Sequence, residues 1–180
     1  MTIRNSINIE MYWRQCCLEM TANSNVETVF AGSGMGQVLG QYEYIDPWSI
    51  FVFVQTAETA GAKTLNVGML STESGGNAAG ILNGISIAST GWVQPTFTVS
   101  QGTNAAYISA STIGVLFKKG QDGANTAEHN AVPIYQGFIG NGTSKTLSYT
   151  CASSSTSFVG FLYFRKAYLP DLTSYLTFQA

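Results

Sequence analysis

With 180 residues the chain is long enough to bury a core of its own and too short to imply a second folded domain. Only 10% of its residues are charged and the formal net charge is −2, so it lacks the basic field that nucleic acid or an anionic membrane surface would need. A composition of 45% hydrophobic and 12% aromatic residues is too apolar for disorder, and no apolar run approaches the ~20 residues of a membrane-spanning helix.

In chain order, "MTIRNSINIEMYWRQCC" is not expected to act as a signal peptide, because Arg4, Asn5, Asn8, Glu10 and Arg14 interrupt any apolar run. Residues 1–25 show no clean period and end in the polar "TANSN" of Thr21 to Asn25. They are expected to form an N-terminal arm or short helix that a partner orders, with Ile7, Ile9, Met11, Tyr12 and Trp13 as apolar anchors.

From Val26 onward, β-branched and aromatic residues recur in short runs between clusters of Gly, Asn and Ser. Candidate strands are Thr28 to Ala31, Gly36 to Tyr44, Ile50 to Thr56, Thr64 to Leu70, Gly84 to Ser89 and Val93 to Val99, then Ile113 to Lys118, Val132 to Ile139, Thr146 to Cys151 and Phe158 to Phe164. So many short strands predict an all-β, two-sheet β-sandwich of jelly-roll type over residues 26–168. Residues 169–180 form a C-terminal tail, whose Leu172, Tyr175, Leu176 and Phe178 offer a second apolar contact.

Local features fit that plan. Asn141 and Gly142 suit a type I′ hairpin, and without a secretion signal the sequon they share with Thr143 does not argue for glycosylation. The polar stretch Lys118 to Asn130 is a long loop of the kind that projects from one end of a sandwich. "AKTLNVG" at Ala62 to Gly68 echoes "SKTLSYT" at Ser144 to Thr150, as equivalent strands of two sheets would, with Leu65 and Val67 matching Leu147 and Tyr149 on one apolar face.

Most catalytic chemistries fail on residue type or spacing. A serine triad would rest on the single histidine, His129, and no Ser lies in a G-x-S-x-G elbow. Cys16, Cys17 and Cys151 have no C-x-x-C spacing for zinc, and an odd thiol count fits buried or free thiols in a reduced compartment. "GSGMGQVLG" at Gly32 to Gly40 runs on as a strand, where a dinucleotide fingerprint needs a helix. Glu58, Glu73, Asp122 and Glu128 fall in turns as candidate paired carboxylates, with spacing that fixes no pair. No cofactor or metal is called for.

Aromatic residues raise a binding question instead. Trp48, Trp92, Tyr135 and Tyr163 fill a core in most sandwiches, and Trp92, in the turn-like "STGWVQP", is the one expected at the surface. The Gly-rich "STESGGNAAG" at Ser71 to Gly80 has no Lys, no helical period and one acid, so it is expected to join two strands, with Gly75 and Gly76 at positive φ and Glu73 solvated.

Two blocks, "ETAGAKTLNVGMLSTESGGNAAGILNGISIASTGWVQ" from Glu58 and "GNGTSKTLSYTCASSSTSFVGFLYFRKAYL" from Gly140, resemble small structural proteins of tailed bacteriophages that decorate the head. The resemblance implies a β-sandwich bound to the capsid surface of a virion assembled in the host cytoplasm, with the major capsid protein or other virion subunits as partners. It brings no catalytic residues. The expected function is therefore non-enzymatic decoration and reinforcement of a capsid by homo-oligomeric copies, with no nucleic acid or membrane partner. The alternative is a glycan- or host-surface-binding module. A Ser- and Thr-rich neutral surface suits the first, since packing it costs little charge desolvation.

Overall fold

The computed structural model of the chain describes residues 13–30, 38–40, 43–101, 106–111, 145–152 and 154–168. These form eleven strands: β1 Trp13–Thr21, β2 Thr28–Val29, β3 Val38–Leu39, β4 Glu43–Thr56, β5 Thr64–Met69, β6 Asn77–Ser86, β7 Gly91–Val93, β8 Phe97–Gln101, β9 Ala106–Ser111, β10 Lys145–Cys151 and β11 Val159–Tyr168. The expected strands at Ile113 to Lys118 and Val132 to Ile139, the loop from Lys118 to Asn130 and the Asn141–Gly142 turn lie outside the described residues.

One sheet runs in the order β1-β11-β4-β7 and the other β2-β10-β5-β6, with β3 also paired to β10 and β8–β9 as a separate hairpin. All pairings are antiparallel. β2 meets β10 at Ser148 and Tyr149, and β3 meets it at Lys145 and Thr146, so the two short strands are successive halves of one edge. Consecutive strands change sheet repeatedly: β1 to β2, β3 to β4, β4 to β5, β6 to β7 and β10 to β11. Four of these steps join strands at matching positions of the two orders, while β3 to β4 crosses from an edge position to the third position of the facing sheet; together they give the double Greek-key wrapping of a jelly roll.

Alternation builds the core. Along β4, Ile50, Val52 and Val54 are buried while Phe51 and Phe53 are half-buried on the other face. Cys16, Leu18 and Met20 of β1 and Leu162 and Phe164 of β11 join them from the same sheet. Leu65, Val67 and Met69 of β5, Leu82 and Ile85 of β6, and Leu147, Tyr149 and Cys151 of β10 meet them from the other. Burying each such side chain contributes roughly 1.5–3 kcal/mol before entropy is subtracted, so this shared layer holds the sheets together.

The structure corrects several expectations. Residues 13–21, expected within an arm, are a full strand paired to β11 from Trp13↔Ala167 to Thr21↔Val159. Cys16, Leu18 and Met20 supply its apolar face, and two adjacent cysteines hide that period-two pattern. β4 is continuous across Asp46 and Pro47: Tyr163 pairs with Phe51 and Arg165 with Asp46, so the residues between them on β4 bulge opposite Phe164. Ser49 pins the bulge, its Oγ accepting from Arg165 N at 2.7 Å and donating to Asp46 O at 2.7 Å. β6 begins at Asn77, well before the expected Gly84, which sits inside the strand at φ 71° and donates its N–H to Asn66 Oδ1 at 2.7 Å. The echoing segments β5 and β10 are neighbours in one sheet, paired from Leu147↔Met69 to Cys151↔Leu65. Leu65, Val67, Leu147 and Tyr149 are nonetheless all buried, as the shared pattern predicts.

Candidate functional site

In β11, Leu162, Phe164 and Lys166 point inward, so Phe161, Tyr163 and Arg165 face out from the first sheet. Register places neighbours beside them: Tyr163 pairs with Cys17 on one side and Phe51 on the other, and Phe161 pairs with Glu19 and Phe53. Phe53 in turn pairs with Trp92 of β7. Four strands thus bring their aromatic and polar outward residues to one surface.

Trp92 is the centre of this surface and is 61% exposed, as the sequence led us to expect. Its ring lies 5.0 Å from that of Phe53 and 5.1 Å from that of Tyr163, both tilted, and 6.3 Å from that of Phe51, edge to face. Such tilted and edge-on pairs are favourable arrangements of aromatic quadrupoles and hold the indole in place. Beside it opens a groove of about 780 Å³, whose walls include Trp92, Tyr163 and Phe51 with Gln15, Ser49, Gln94 and Arg165.

The charge in this groove is neutralised locally. Arg165 Nη2 lies 2.6 Å from Asp46 Oδ2. The Tyr163 phenol, neutral at pH 7 at its ordinary value, is pushed higher still by a hydrogen bond with Cys17.

The sequence-nominated contact residues separate into two groups. Trp13 opens β1 opposite Ala167 of β11. Ile7, Ile9, Met11, Tyr12, Leu172, Tyr175, Leu176 and Phe178 lie outside the described residues. So do His129, Asp122 and Glu128 of the rejected chemistries and Tyr135 of the aromatic candidates.

The two remaining candidate carboxylates have structural tasks. Glu58 is 1% exposed, and its Oε1 accepts from Thr59 N, Ala60 N and Ser157 Oγ at 2.9–3.1 Å. Its Oε2 accepts from Thr156 N, Ser157 N and Phe158 N at 2.9–3.2 Å. Burial opposes the charge, but the backbone N–H groups of Ala60, Ser157, Phe158 and Thr156 outweigh it and hold this carboxyl at about 2. It clamps the β4–β5 connection to the β10–β11 connection. Glu73 is less solvated than expected: it accepts from Thr146 N at 3.0 Å, at the start of β10. Glu58 and Glu73 therefore sit at opposite ends of a strand on the order of 20 Å long at ~3.3 Å per residue. Paired glycosidase carboxylates lie within ~9.5 Å of each other.

The Ser71–Gly80 segment does join two strands, β5 and β6. Gly75 has φ 72°, as expected, whereas Gly76 is needed for space: a Cβ there would meet Leu70 O at 2.0 Å. Lys145 Nζ donates to Ser74 O and fixes the turn against β10.

The aromatic platform was only partly foreseen, through Trp92 and Tyr163. Phe51 and Phe53 were missed, although "IFVFV", with apolar residues on both faces of a single strand, carries the signal.

Fold and site together define a class: a jelly roll of two antiparallel sheets with an aromatic platform on one outer face. No protein-family model, curated protein or solved structure matches the chain.

Proposed function

We propose that this chain is a non-enzymatic structural protein of a phage virion, a jelly roll that binds the outside of the capsid and reinforces it through protein contacts. The observation that carries the reading is the pairing of Trp13 with Ala167. Because these residues face each other across β1 and β11, residues 1–12 and 169–180 join the described chain at neighbouring points on one end of one sheet. The two segments that the sequence nominates for partner contact thus start side by side. Together their Ile7, Ile9, Met11, Tyr12 and Leu172, Tyr175, Leu176, Phe178 supply one apolar attachment, while the sandwich itself remains a closed unit.

Jelly rolls serve both capsids and lectins, so the fold alone does not choose between them. The resemblance of two sequence blocks to head-decorating proteins and the neutral Ser- and Thr-rich composition favour the capsid. A specific contact needs about 800 Å² per partner, and repeated copies on a symmetric shell add avidity.

The test is co-sedimentation of the purified protein with heads of its own phage assembled without it. Saturable, stoichiometric pelleting with the heads is expected. A protein that stays in the supernatant at every head concentration contradicts the proposal.

A further inference from the structure

We infer that the groove at Trp92 is a carbohydrate site, in which a neutral pyranose ring stacks on the Trp92 indole and its hydroxyls bond to the amides of Gln15 and Gln94. The inference is independent of the capsid reading and holds for any location of the protein.

Shape is the first argument. The groove's volume of about 780 Å³ lies within the usual ~300–1,000 Å³ of small-molecule sites, so it admits a short oligosaccharide. Trp92 is 61% exposed and Tyr163 38%, yet both rings are held by neighbours at 5.0–6.3 Å, so the platform is formed before a ligand arrives. A preorganised surface avoids much of the ordering entropy that binding otherwise costs.

Chemistry is the second. An aromatic ring is electron-rich on its face, and one face of a pyranose presents C–H bonds of slight positive charge, so the two stack. Among the polar groups beside the platform are the amides of Gln15 and Gln94, both on exposed residues. A primary amide both donates and accepts, which matches a sugar hydroxyl that does the same. Charge is the third argument and excludes the main competitor for an aromatic platform. Bases of single-stranded nucleic acid also stack on Trp and Tyr, but they come with phosphates that need a basic groove. Here Arg165 is paired with Asp46 at 2.6 Å, and the chain is net negative at −2.

The experiment presents the full chain to an array of neutral oligosaccharides built from glucose, galactose, mannose and N-acetylglucosamine, with single-stranded oligonucleotides as comparison. Binding is then titrated by the change in Trp fluorescence, and sedimentation velocity follows the oligomeric state. Trp92→Ala, Trp92→Phe and Gln94→Ala are compared with Val29→Ser, a surface change on the other sheet, after the melting temperature of each confirms folding. The inference expects saturable binding to at least one neutral oligosaccharide, weakened about tenfold or more by Trp92→Ala, less by Trp92→Phe and Gln94→Ala, and unchanged by Val29→Ser. It is overturned by no binding to any neutral sugar at millimolar concentration, or by binding that Trp92→Ala leaves intact. Preference for the oligonucleotides overturns it too, as does a Trp92→Ala effect confined to self-association, which would make the platform an interface between copies.

Discussion

Trp13 and Ala167 face each other at the end of the β1–β11 pair, and Thr21 faces Val159 at the other end. The first described strand and the last are therefore zipped along their whole shared length, and Trp13 and Tyr168, where the described chain begins and ends, lie at one corner of the sandwich. Deleting residues 1–25 would remove β1, with the buried Cys16, Leu18 and Met20, and so would test folding as much as attachment. Truncation at residue 12 leaves the sheet whole.

Glu58 gives the fold a pH dependence with a definite sign. Its carboxyl is held at about 2 against an ordinary 4.5, so it favours the folded state fully above about 4.5, and that contribution is lost as pH falls through 2. Glu58→Gln turns one acceptor oxygen toward backbone donors as an NH₂ group and is expected to cost about 2–3 kcal/mol at pH 7. Urea denaturation should show a lower midpoint at pH 7, and between pH 4.5 and 2 the variant should lose stability less steeply than the parent.

The two glycines of the β5–β6 turn should respond differently to alanine. Gly75 has φ 72° and open space around it, so Gly75→Ala meets only the backbone penalty of roughly 1–2 kcal/mol. Gly76→Ala would drive a Cβ into Leu70 O at 2.0 Å and Glu73 O at 2.8 Å, both backbone atoms, and the turn has to open. A loss of about 3 kcal/mol or more is expected, read in the same denaturation experiment.

These turn glycines also show where sequence reading reaches and where it stops. Their role as a strand connection was legible from the missing Lys and the missing helical period, but close approach of Leu70 O to Gly76 is a tertiary fact. The sandwich itself was legible because alternation such as Ile50, Val52 and Val54 against Phe51 and Phe53 survives in the sequence. β1 was hidden, since Cys17 beside Cys16 blurs the period and Arg14 and Glu19 look like an exposed arm. The platform was hidden for a different reason. Trp92, Phe53 and Tyr163 come from three strands, and only the β4–β11 and β4–β7 registers bring them together. Glu58 looked like any turn carboxylate until Thr156, Ser157 and Phe158 arrived from the far side of the chain.

Thiol chemistry should separate the three cysteines. Cys17 is exposed beside Tyr163, whereas Cys16 and Cys151 are buried and burial pushes both thiols up. A native sample is expected to react with a thiol reagent in one fast step at Cys17, with the other two labelled only at the rate of unfolding. Cys17→Ser should abolish the fast step and leave the melting temperature within about 1–2 °C of the parent.

The proposed attachment through the two terminal segments is tested most directly by truncating residues 1–12, residues 169–180, or both, and measuring occupancy on heads of the cognate phage that lack the protein. Each single truncation should weaken binding by about tenfold or more and the double truncation should abolish it, with the sandwich still folded by its melting transition. Full occupancy by the folded double truncation would contradict the account.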